Sequence, residues 1–283
     1  MKILIADPAK NITAFVLDPV ADPARRTAIS RAILADKGLA VEQVGFVFPP
    51  TEENDGDRGL NSLGWEQGSR HNRGFWRLEM AGGEFCGNAA RSFGLYVAGI
   101  TGVKGKARVL ISISGSAEPV PVDVDTERCQ AQAEMPLPLE ESMLDYGGRA
   151  LPVFVFEGIA HVIAPDIKPE PDAFSAIKLL TVSKYKEIPA FGVMFYETAS
   201  AFMRPAVYVR DPETLVFESS CGSGSAALGI WLGRGVQDGT TLFRIAQPGG
   251  VIETAVAKKS GSLVRVAIGG PVMLGAPEDR VFR

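Results

Sequence analysis

The feature that most constrains this fold is an internal repeat built around two cysteines. Residues 85–97 (FCGNAARSFGLYV) can be laid over residues 220–232 (SCGSGSAALGIWL). Cys-Gly falls on Cys-Gly, a later glycine falls on a glycine, and both segments end in an aliphatic–aromatic–aliphatic run. The copies lie about half the chain apart, which indicates a duplicated domain rather than two chance glycine-rich turns.

Each copy of the repeat predicts a helix that begins directly after its cysteine. Beyond Cys86 and Cys221 the sequence is rich in alanine and large apolar residues, which cover most of a helical wheel. A helix that is apolar nearly all round is buried inside its domain. We therefore expect each cysteine at the amino end of a buried central helix.

Short alternating or β-branched segments, bounded by turn residues, predict strands through the rest of each half. Residues 23–37 predict a peripheral helix. Asp22 would cap this helix, Pro23 suits its first turn and Gly38 would end it. Residues 173–180 predict its counterpart in the second half. The expected fold class is α+β, with two pseudo-symmetric domains, each a curled sheet around one helix, and a cleft between them.

Composition and charge narrow the possible partners. The 283 residues are 46% hydrophobic and 22% charged, ordinary globular values that exclude a disordered chain. The net charge is −4 and basic residues do not cluster, so we expect no nucleic acid and no membrane surface as partner. No apolar run approaches the roughly 18 residues of a transmembrane helix. Residues 1–7 (MKILIAD) are too quickly charged for a signal peptide. We expect a soluble, cytoplasmic protein.

Three cysteines, an odd number, indicate free thiols rather than a disulfide framework. A helix amino terminus favours the reactive thiolate through its partial positive charge and unpaired N–H groups. With such cysteines on opposite walls of a cleft, one thiolate can remove a proton from a carbon while the other thiol protonates the opposite face. This chemistry inverts a stereocentre without a cofactor. Cys129, which has no glycine motif, is interpreted as a structural thiol.

Backbone N–H groups after the two cysteines are expected to bind the carboxylate and the developing carbanion of an amino-acid substrate. These are the N–H groups of Gly87, Asn88, Gly222 and Ser223. The two histidines, His71 and His161, lack neighbours at metal-ligand spacing, so we expect no metal. The polar stretch at residues 51–74 is either disordered or a lid over the ligand.

Residues 84–91 (EFCGNAAR) and 219–227 (SSCGSGSAA) resemble the two catalytic motifs of the diaminopimelate epimerase family. The resemblance runs the length of the chain. Further matching positions are Asn11, Glu42, Gln43, His161 and the turn at residues 248–250. The resemblance implies a racemase or epimerase that works without pyridoxal phosphate, with Cys86 and Cys221 as its catalytic pair. It also implies paired barrel-like domains: residues 1–118, joined by a returning strand at 270–283, and residues 119–269.

Departures from the diaminopimelate pattern point to a different substrate. The family's asparagine and proline before its histidine are replaced by Ile159 and Ala160, and a later asparagine by Ala190. Arg210 resembles the family's arginine, but about three residues are inserted between it and Cys221. These groups grip the distal end of diaminopimelate. The pattern is closer to the histidine racemases of the family, through residues 42–46 (EQVGF), 83–88 (GEFCGN), 217–224 (FESSCGSG) and 247–250 (QPGG).

The resemblance assigns roles to residues around the cysteines and leaves alternatives open. Glu42 and Asp211 fall where the histidine racemases address the imidazole, and His161 would lie near the substrate and help to tune a thiol. The alternatives are diaminopimelate epimerase, a racemase of another amino acid, and an isomerase of the phenazine-biosynthesis type. From a different class come a non-catalytic amino-acid sensor and a thiol switch. The sequence leaves a homodimer open.

Overall fold

In a computed structural model, the structure describes residues 1–50, 74–211 and 213–282. Of the stretch 51–74, for which the sequence left a lid or disorder open, residues 51–73 lie outside the described residues, and so does His71. The chain divides into two compact units. Unit 1 comprises Met1–Asp7, Ile12–Ala131 and Met273–Arg283, and unit 2 comprises Pro8–Asn11 and Gln132–Val272. The division into halves at residue 118 stays a prediction.

Strands dominate the described residues, and the helices are few. In chain order the elements are β1 (Lys2–Asp7), β2 (Thr13–Val16), α1 (Pro23–Ala35), β3 (Gln43–Phe48), β4 (Arg77–Met80), α2 (Gly87–Ile100), β5 (Lys106–Ile113), β6 (Val120–Asp125), β7 (Gln130–Met135), β8 (Glu140–Tyr146), β9 (Arg149–Phe156), β10 (Ile159–Pro165), α3 (Pro171–Lys184), β11 (Ala190–Glu197), β12 (Phe202–Val209), β13 (Thr214–Phe217), α4 (Gly222–Leu232), β14 (Gly239–Gln247), β15 (Gly250–Lys259), β16 (Ser262–Pro271), β17 (Met273–Leu274) and β18 (Glu278–Asp279). The chain therefore has a mixed α/β fold.

The same succession of pairings occurs in both units. In unit 1, β1 to β6 pair in chain order, and the successive pairs are antiparallel, parallel, antiparallel, parallel and antiparallel. In unit 2, the strands β9, β10, β11, β12, β14 and β15 repeat these pairings in the same order and sense. A helix links the strands of each parallel pair, as crossover connections require. The repeat seen in the sequence is thus also a repeat of topology.

The chain returns to unit 1 at its end. β17 pairs antiparallel with β1 at Ala6 and Leu274, and β18 pairs with β1 at Ile3 and Glu278. Further backbone hydrogen bonds join Met1 and Arg280 in both directions. The first strand of unit 1 is therefore held between β2 and the last residues of the chain.

The two helices that follow the cysteines are buried, as predicted. Most residues of α2 and α4 are inaccessible to solvent, and their alanines and glycines allow close packing against the neighbouring strands. In unit 1, the ring of Phe93 lies 5.8 Å from that of Phe15 in an edge-to-face arrangement. Burial on all sides fixes the amino end of each helix, where the cysteine lies.

The peripheral helix differs slightly from its prediction. Asp22 caps α1 by accepting the N–H of Ala24 at 3.0 Å, as expected, but the helix ends at Ala35 and not next to Gly38. The carboxylate of Asp36 accepts the N–H of Gly38 at 2.9 Å, and such a local side-chain bond competes with continued helix. The counterpart predicted at residues 173–180 is the longer α3. No helix among the described residues is long and apolar enough to cross a membrane.

Candidate active site

Cys86 is the N-cap of α2, with φ −122° and ψ 111°. Its Sγ accepts the N–H of Ala89 at 3.5 Å, and the side chain of Gln43 also hydrogen-bonds to the thiol. Gly87 and Asn88 follow as the first two residues of α2, and both are buried. The structure thus brings Gln43, Gly87 and Asn88 together with Cys86.

Burial raises the pKa of the Cys86 thiol to about 11. The N–H groups at the start of α2 act in the opposite direction, and the carboxylate of Glu84 adds to the rise. The helix amino terminus favours the thiolate, as expected, but it does not decide the net pKa shift in the protein without substrate. The donors are present, but desolvation outweighs them.

Arg91 is a buried charge that the sequence analysis did not single out. It is fully buried one turn into α2, and its Nε donates to Oδ1 of Asn88 at 3.1 Å. A guanidinium keeps its charge, so this bond holds the side chain of Asn88 firmly. The available signal was a lone charged residue in an otherwise uncharged helical sequence (GNAARSFGLYVAGI).

Cys221 is the N-cap of α4, with φ −122° and ψ 113°. Its backbone is held on both sides by two buried side chains. The N–H of Cys221 donates to Oε1 of Gln247 at 2.8 Å, and Nε2 of Gln247 donates to Oγ of Ser225 at 2.9 Å. That hydroxyl in turn donates to the carbonyl of Cys221 at 2.6 Å. The three residues form a closed ring of hydrogen bonds that fixes the start of the helix.

Gly224 makes room for the Cys221 thiol. A Cβ at this position would lie 2.2 Å from Sδ of Met194 and 3.2 Å from Sγ of Cys221. Gly222 is buried beside the cysteine, as the first residue of α4. Glycine is therefore required at residue 224 by packing, and the space that it leaves is occupied by the two sulfur atoms.

The pKa of Cys221 is raised well above the ordinary thiol value, chiefly by burial. The carboxylate of Glu218, three residues earlier, contacts the thiol and adds to the rise. The N–H of Gly224 and the hydroxyl of Ser223 oppose it. Without substrate, both repeat cysteines are therefore thiols at neutral pH.

His161 lies beside Cys221 through Ser223. Nε2 of His161 is 2.8 Å from Oγ of Ser223, and this Oγ is 3.8 Å from Sγ of Cys221. The imidazole is fully buried, and burial lowers its pKa to about 3, so it is neutral at physiological pH. The structure thus brings Cys221, Gly222, Ser223 and His161 together.

Three further residues that the sequence assigned to the site are Asn11, Glu42 and Asp211, and the structure describes their positions but no contact with a thiol. Asn11 is buried in the short segment of unit 2 that follows β1. Glu42, just before β3 of unit 1, and Asp211, after β12 of unit 2, are exposed. Cys129 is an exposed residue in the turn before β7, with φ +51°, so its interpretation as a buried structural thiol is wrong. Within the described ranges, no cluster of three or more His, Cys, Asp or Glu residues could hold a metal ion.

Comparison with known proteins identifies relatives along nearly the whole chain. A family model described as the histidine racemase CntK N-terminal domain matches residues 2–279. A histidine racemase of Fusobacterium nucleatum is 30% identical, over 98% of this chain and 95% of that protein. A histidine racemase of Staphylococcus aureus is 26% identical, over 87% of this chain and 85% of that protein.

Solved structures share the fold at low sequence identity. A probable proline racemase from Agrobacterium radiobacter has a TM-score of 0.63 and 14% identity, and the match covers 100% of this chain and 93% of that one. A PhzF-family phenazine biosynthesis protein from Enterococcus faecalis has a TM-score of 0.57 and 16% identity, with 98% of each chain covered. At these identities the similarity establishes the fold alone.

Proposed function

Because the chain belongs to the histidine racemase CntK N-terminal domain family, we propose that it interconverts L- and D-histidine. The family membership and its racemase relatives make it an isomerase. The observation that carries the proposal is the pair of cysteines, each the N-cap of a buried helix in a repeated topology. We also propose that the fold has the form found in the diaminopimelate epimerase family, with barrel-like domains.

The proposed mechanism uses Cys86 and Cys221 as a pair of proton-transfer groups. One thiolate removes the Cα proton of histidine and becomes a thiol, and the electron pair left on Cα is delocalised into the carboxylate. The other thiol delivers its proton to the opposite face of Cα and becomes a thiolate. No bond other than C–H and S–H changes, and nothing is oxidised or reduced, so the reaction needs no cofactor.

Because both thiol pKa values are raised, substrate binding must lower one of them before the reaction can begin. Both cysteines are held as thiols by burial, and one must lose its proton before it can act as the base. The α-ammonium group of a bound amino acid is a positive charge of the kind that lowers the pKa of a nearby thiol. We therefore expect substrate binding to generate the thiolate, so that the reactive form is present only when the site is occupied.

The carboxylate of the substrate needs donors, and the helix starts supply them. Backbone N–H groups at a helix amino terminus bind anions and stabilise charge that develops during the reaction. In the proposed site these are the N–H groups of Gly87, Asn88, Gly222 and Ser223. Asn11 and Gln43 are assigned to substrate binding beside them.

The imidazole of histidine requires acceptors for its N–H groups, and the proposal assigns this task to Glu42 and Asp211. Both carboxylates are exposed in the structure without substrate, and a charged acceptor gives the stronger class of hydrogen bond. In Glu42→Gln and Asp211→Asn we expect the KM for histidine to rise. Wild-type kcat/KM for histidine in both variants would contradict the assignment.

The proposed function is tested by exchange of the Cα proton with solvent. The protein is incubated with L-histidine in D₂O, the Cα proton is followed by NMR, and the formation of D-histidine is followed by chiral chromatography. We expect deuterium at Cα together with racemisation, and no racemisation in the Cys86→Ser or Cys221→Ser variants. A panel of other amino acids, including diaminopimelate, runs in parallel. If another amino acid exchanged its Cα proton faster than histidine, that amino acid would replace histidine as the proposed substrate. Binding without exchange would indicate a sensor.

A further inference from the structure

The hydroxyl of Ser223 lies between a thiol and an imidazole in unit 2. Its Oγ is 2.8 Å from Nε2 of His161 and 3.8 Å from Sγ of Cys221, and both contacts are within hydrogen-bonding range. Ser223 is the second residue of α4, and His161 lies within β10. Two elements far apart in the sequence therefore place an uninterrupted chain of polar atoms next to the proposed catalytic thiol.

The surroundings of His161 leave Nε2 of its imidazole, and not Nδ1, to form a hydrogen bond. The ring is fully buried, and the ring of Phe156 lies against it with centroids 5.9 Å apart. Gly192 is its register partner on β11, and a Cβ on Gly192 would lie 2.6 Å from Nδ1. Within the part of the chain that the structure describes, Nδ1 has no hydrogen-bond partner. Nε2 is the nitrogen that bonds, and it bonds to Ser223.

This arrangement selects one tautomer of the neutral ring. Buried N–H groups without an acceptor are rare in native proteins, so the ring proton belongs on Nε2 and not on Nδ1. Nε2–H then donates to Oγ of Ser223. The hydroxyl proton of Ser223 is consequently directed away from His161, and Sγ of Cys221 is the acceptor that lies within range.

We propose that His161 and Ser223 are positioning residues that form a neutral hydrogen-bond relay to Cys221, in which His161 donates to Ser223 and Ser223 donates to the thiolate. This inference rests on the proposed function in one respect, because it treats Cys221 as a proton-transfer thiol. It gives the side chain of Ser223 a role that is separate from the anion-binding role of its backbone N–H.

The relay explains how a buried thiol can form an anion beside a carboxylate. The charged group that contacts Cys221 is Glu218, which disfavours the thiolate, and the donors opposing it are the Gly224 N–H and the Ser223 hydroxyl. An imidazolium next to Cys221 would lower the thiol pKa and make the thiolate a weaker base toward the Cα proton. A neutral imidazole that acts through a hydroxyl stabilises the anion moderately, which suits a group that must be acid and base in turn.

The test titrates Cys221 in a protein in which it is the sole thiol, made by Cys86→Ser and Cys129→Ser. The rate of alkylation by iodoacetamide is measured against pH, and its midpoint gives the pKa of Cys221. Ser223→Ala should raise this midpoint by about one unit, the size of one ordinary hydrogen bond to the thiolate. Ser223→Thr keeps the hydroxyl and should keep the midpoint. His161→Phe should raise the midpoint, and His161→Gln, which keeps a donor, should leave it nearer the parent value.

The outcomes separate the relay from the proposed function. An unchanged midpoint in Ser223→Ala, with a cooperative thermal transition that shows a folded protein, would overturn the relay, and so would equal shifts in Ser223→Ala and Ser223→Thr. If the His161 variants do not fold, the two Ser223 variants still decide the question. The titration uses no substrate. A shifted midpoint, together with no racemisation of histidine by the protein that keeps all its cysteines, would therefore refute the function and leave the relay standing.

Discussion

Cys86 and Cys221 adopt the same backbone conformation, with φ −122° at both and ψ of 111° and 113°, and each is the N-cap of a buried helix. Because the pairing order is repeated, both cysteines lie at the same point of their units. Each follows the second antiparallel pair of strands and precedes the second strand of the second parallel pair. Two chemically identical groups in equivalent backbone positions suit a reaction that runs equally well in either direction. Racemisation is such a reaction, since its substrate and product are mirror images.

Serine in place of either cysteine should abolish racemisation, because inversion requires both an acid and a base. A general acid or base contributes about 10²–10⁴-fold, so we expect the rate of D-histidine formation to fall by at least about 10²-fold in Cys86→Ser and in Cys221→Ser. The matched control is Cys129→Ser, since this thiol is exposed in a turn. A near wild-type rate in either single variant would exclude the paired mechanism.

Alanine at residue 224 should reduce activity by displacing Cys221. The added Cβ would lie 2.2 Å from Sδ of Met194 and 3.2 Å from Sγ of Cys221, so the two sulfurs must move. Misplacement of a reacting group by about 1 Å can cost about 10²-fold in rate. We expect kcat to fall in Gly224→Ala, and to recover in part when Met194→Ala removes one of the two obstacles. The prediction fails if Met194→Ala gives no recovery.

Leucine in place of Gln247 should destabilise the protein and slow catalysis together. The substitution keeps the approximate volume but leaves the Cys221 N–H and the Ser225 hydroxyl without their amide partner. An unpaired buried polar group costs about 1–3 kcal/mol, which urea denaturation will measure. Ser225→Ala also breaks two of the three bonds, but the Cys221 carbonyl keeps the backbone N–H of Ser225 as a donor, so this variant should cost less. Equal stability of wild type and Gln247→Leu would mean that the ring does not hold the helix start.

The free energy of unfolding should decrease as the pH falls from about 6.5 to 5, partly because of His161. Its pKa is about 3 in the folded protein and about 6.5 in the unfolded chain, so the unfolded state binds the proton first. Stability from this group is complete above pH 6.5 and is lost below it, at up to about 1.4 kcal/mol per pH unit. In His161→Gln, the unfolding free energy should depend less steeply on pH over this interval, by up to the contribution of one bound proton. Urea denaturation at several pH values measures the slope, and equal slopes would refute the prediction.

The helix starts could be predicted from the sequence because they depend on local patterns that occur twice. Cysteine, glycine and an apolar helix in two copies predict both N-caps, and the Asp22 cap of α1 follows from an equally local rule. The end of α1 was missed because the Asp36 carboxylate competes with the next turn, which residue propensities alone do not show. The fold class could be predicted only in its coarse form.

The environment of the thiols could not be predicted, because it depends on contacts between distant segments. Gln247 lies 26 residues from Cys221 and His161 lies 62 residues from Ser223, and the register of β10 and β14 decides whether they meet. The net direction of the thiol pKa shift could not be predicted for a related reason. The sequence shows the N–H donors of the helix but not the depth of burial, and burial has the larger effect.

The return of the chain end to β1 has a consequence for biosynthesis. β17 and β18 are translated after every residue of unit 2, yet they pair with the first strand of unit 1. Until they are available, the edge of β1 that they cover is open, and an open edge can pair with the wrong strand. The first unit is therefore completed only when residues 273–279 are available, although most of its residues are synthesised before most of those of the second unit.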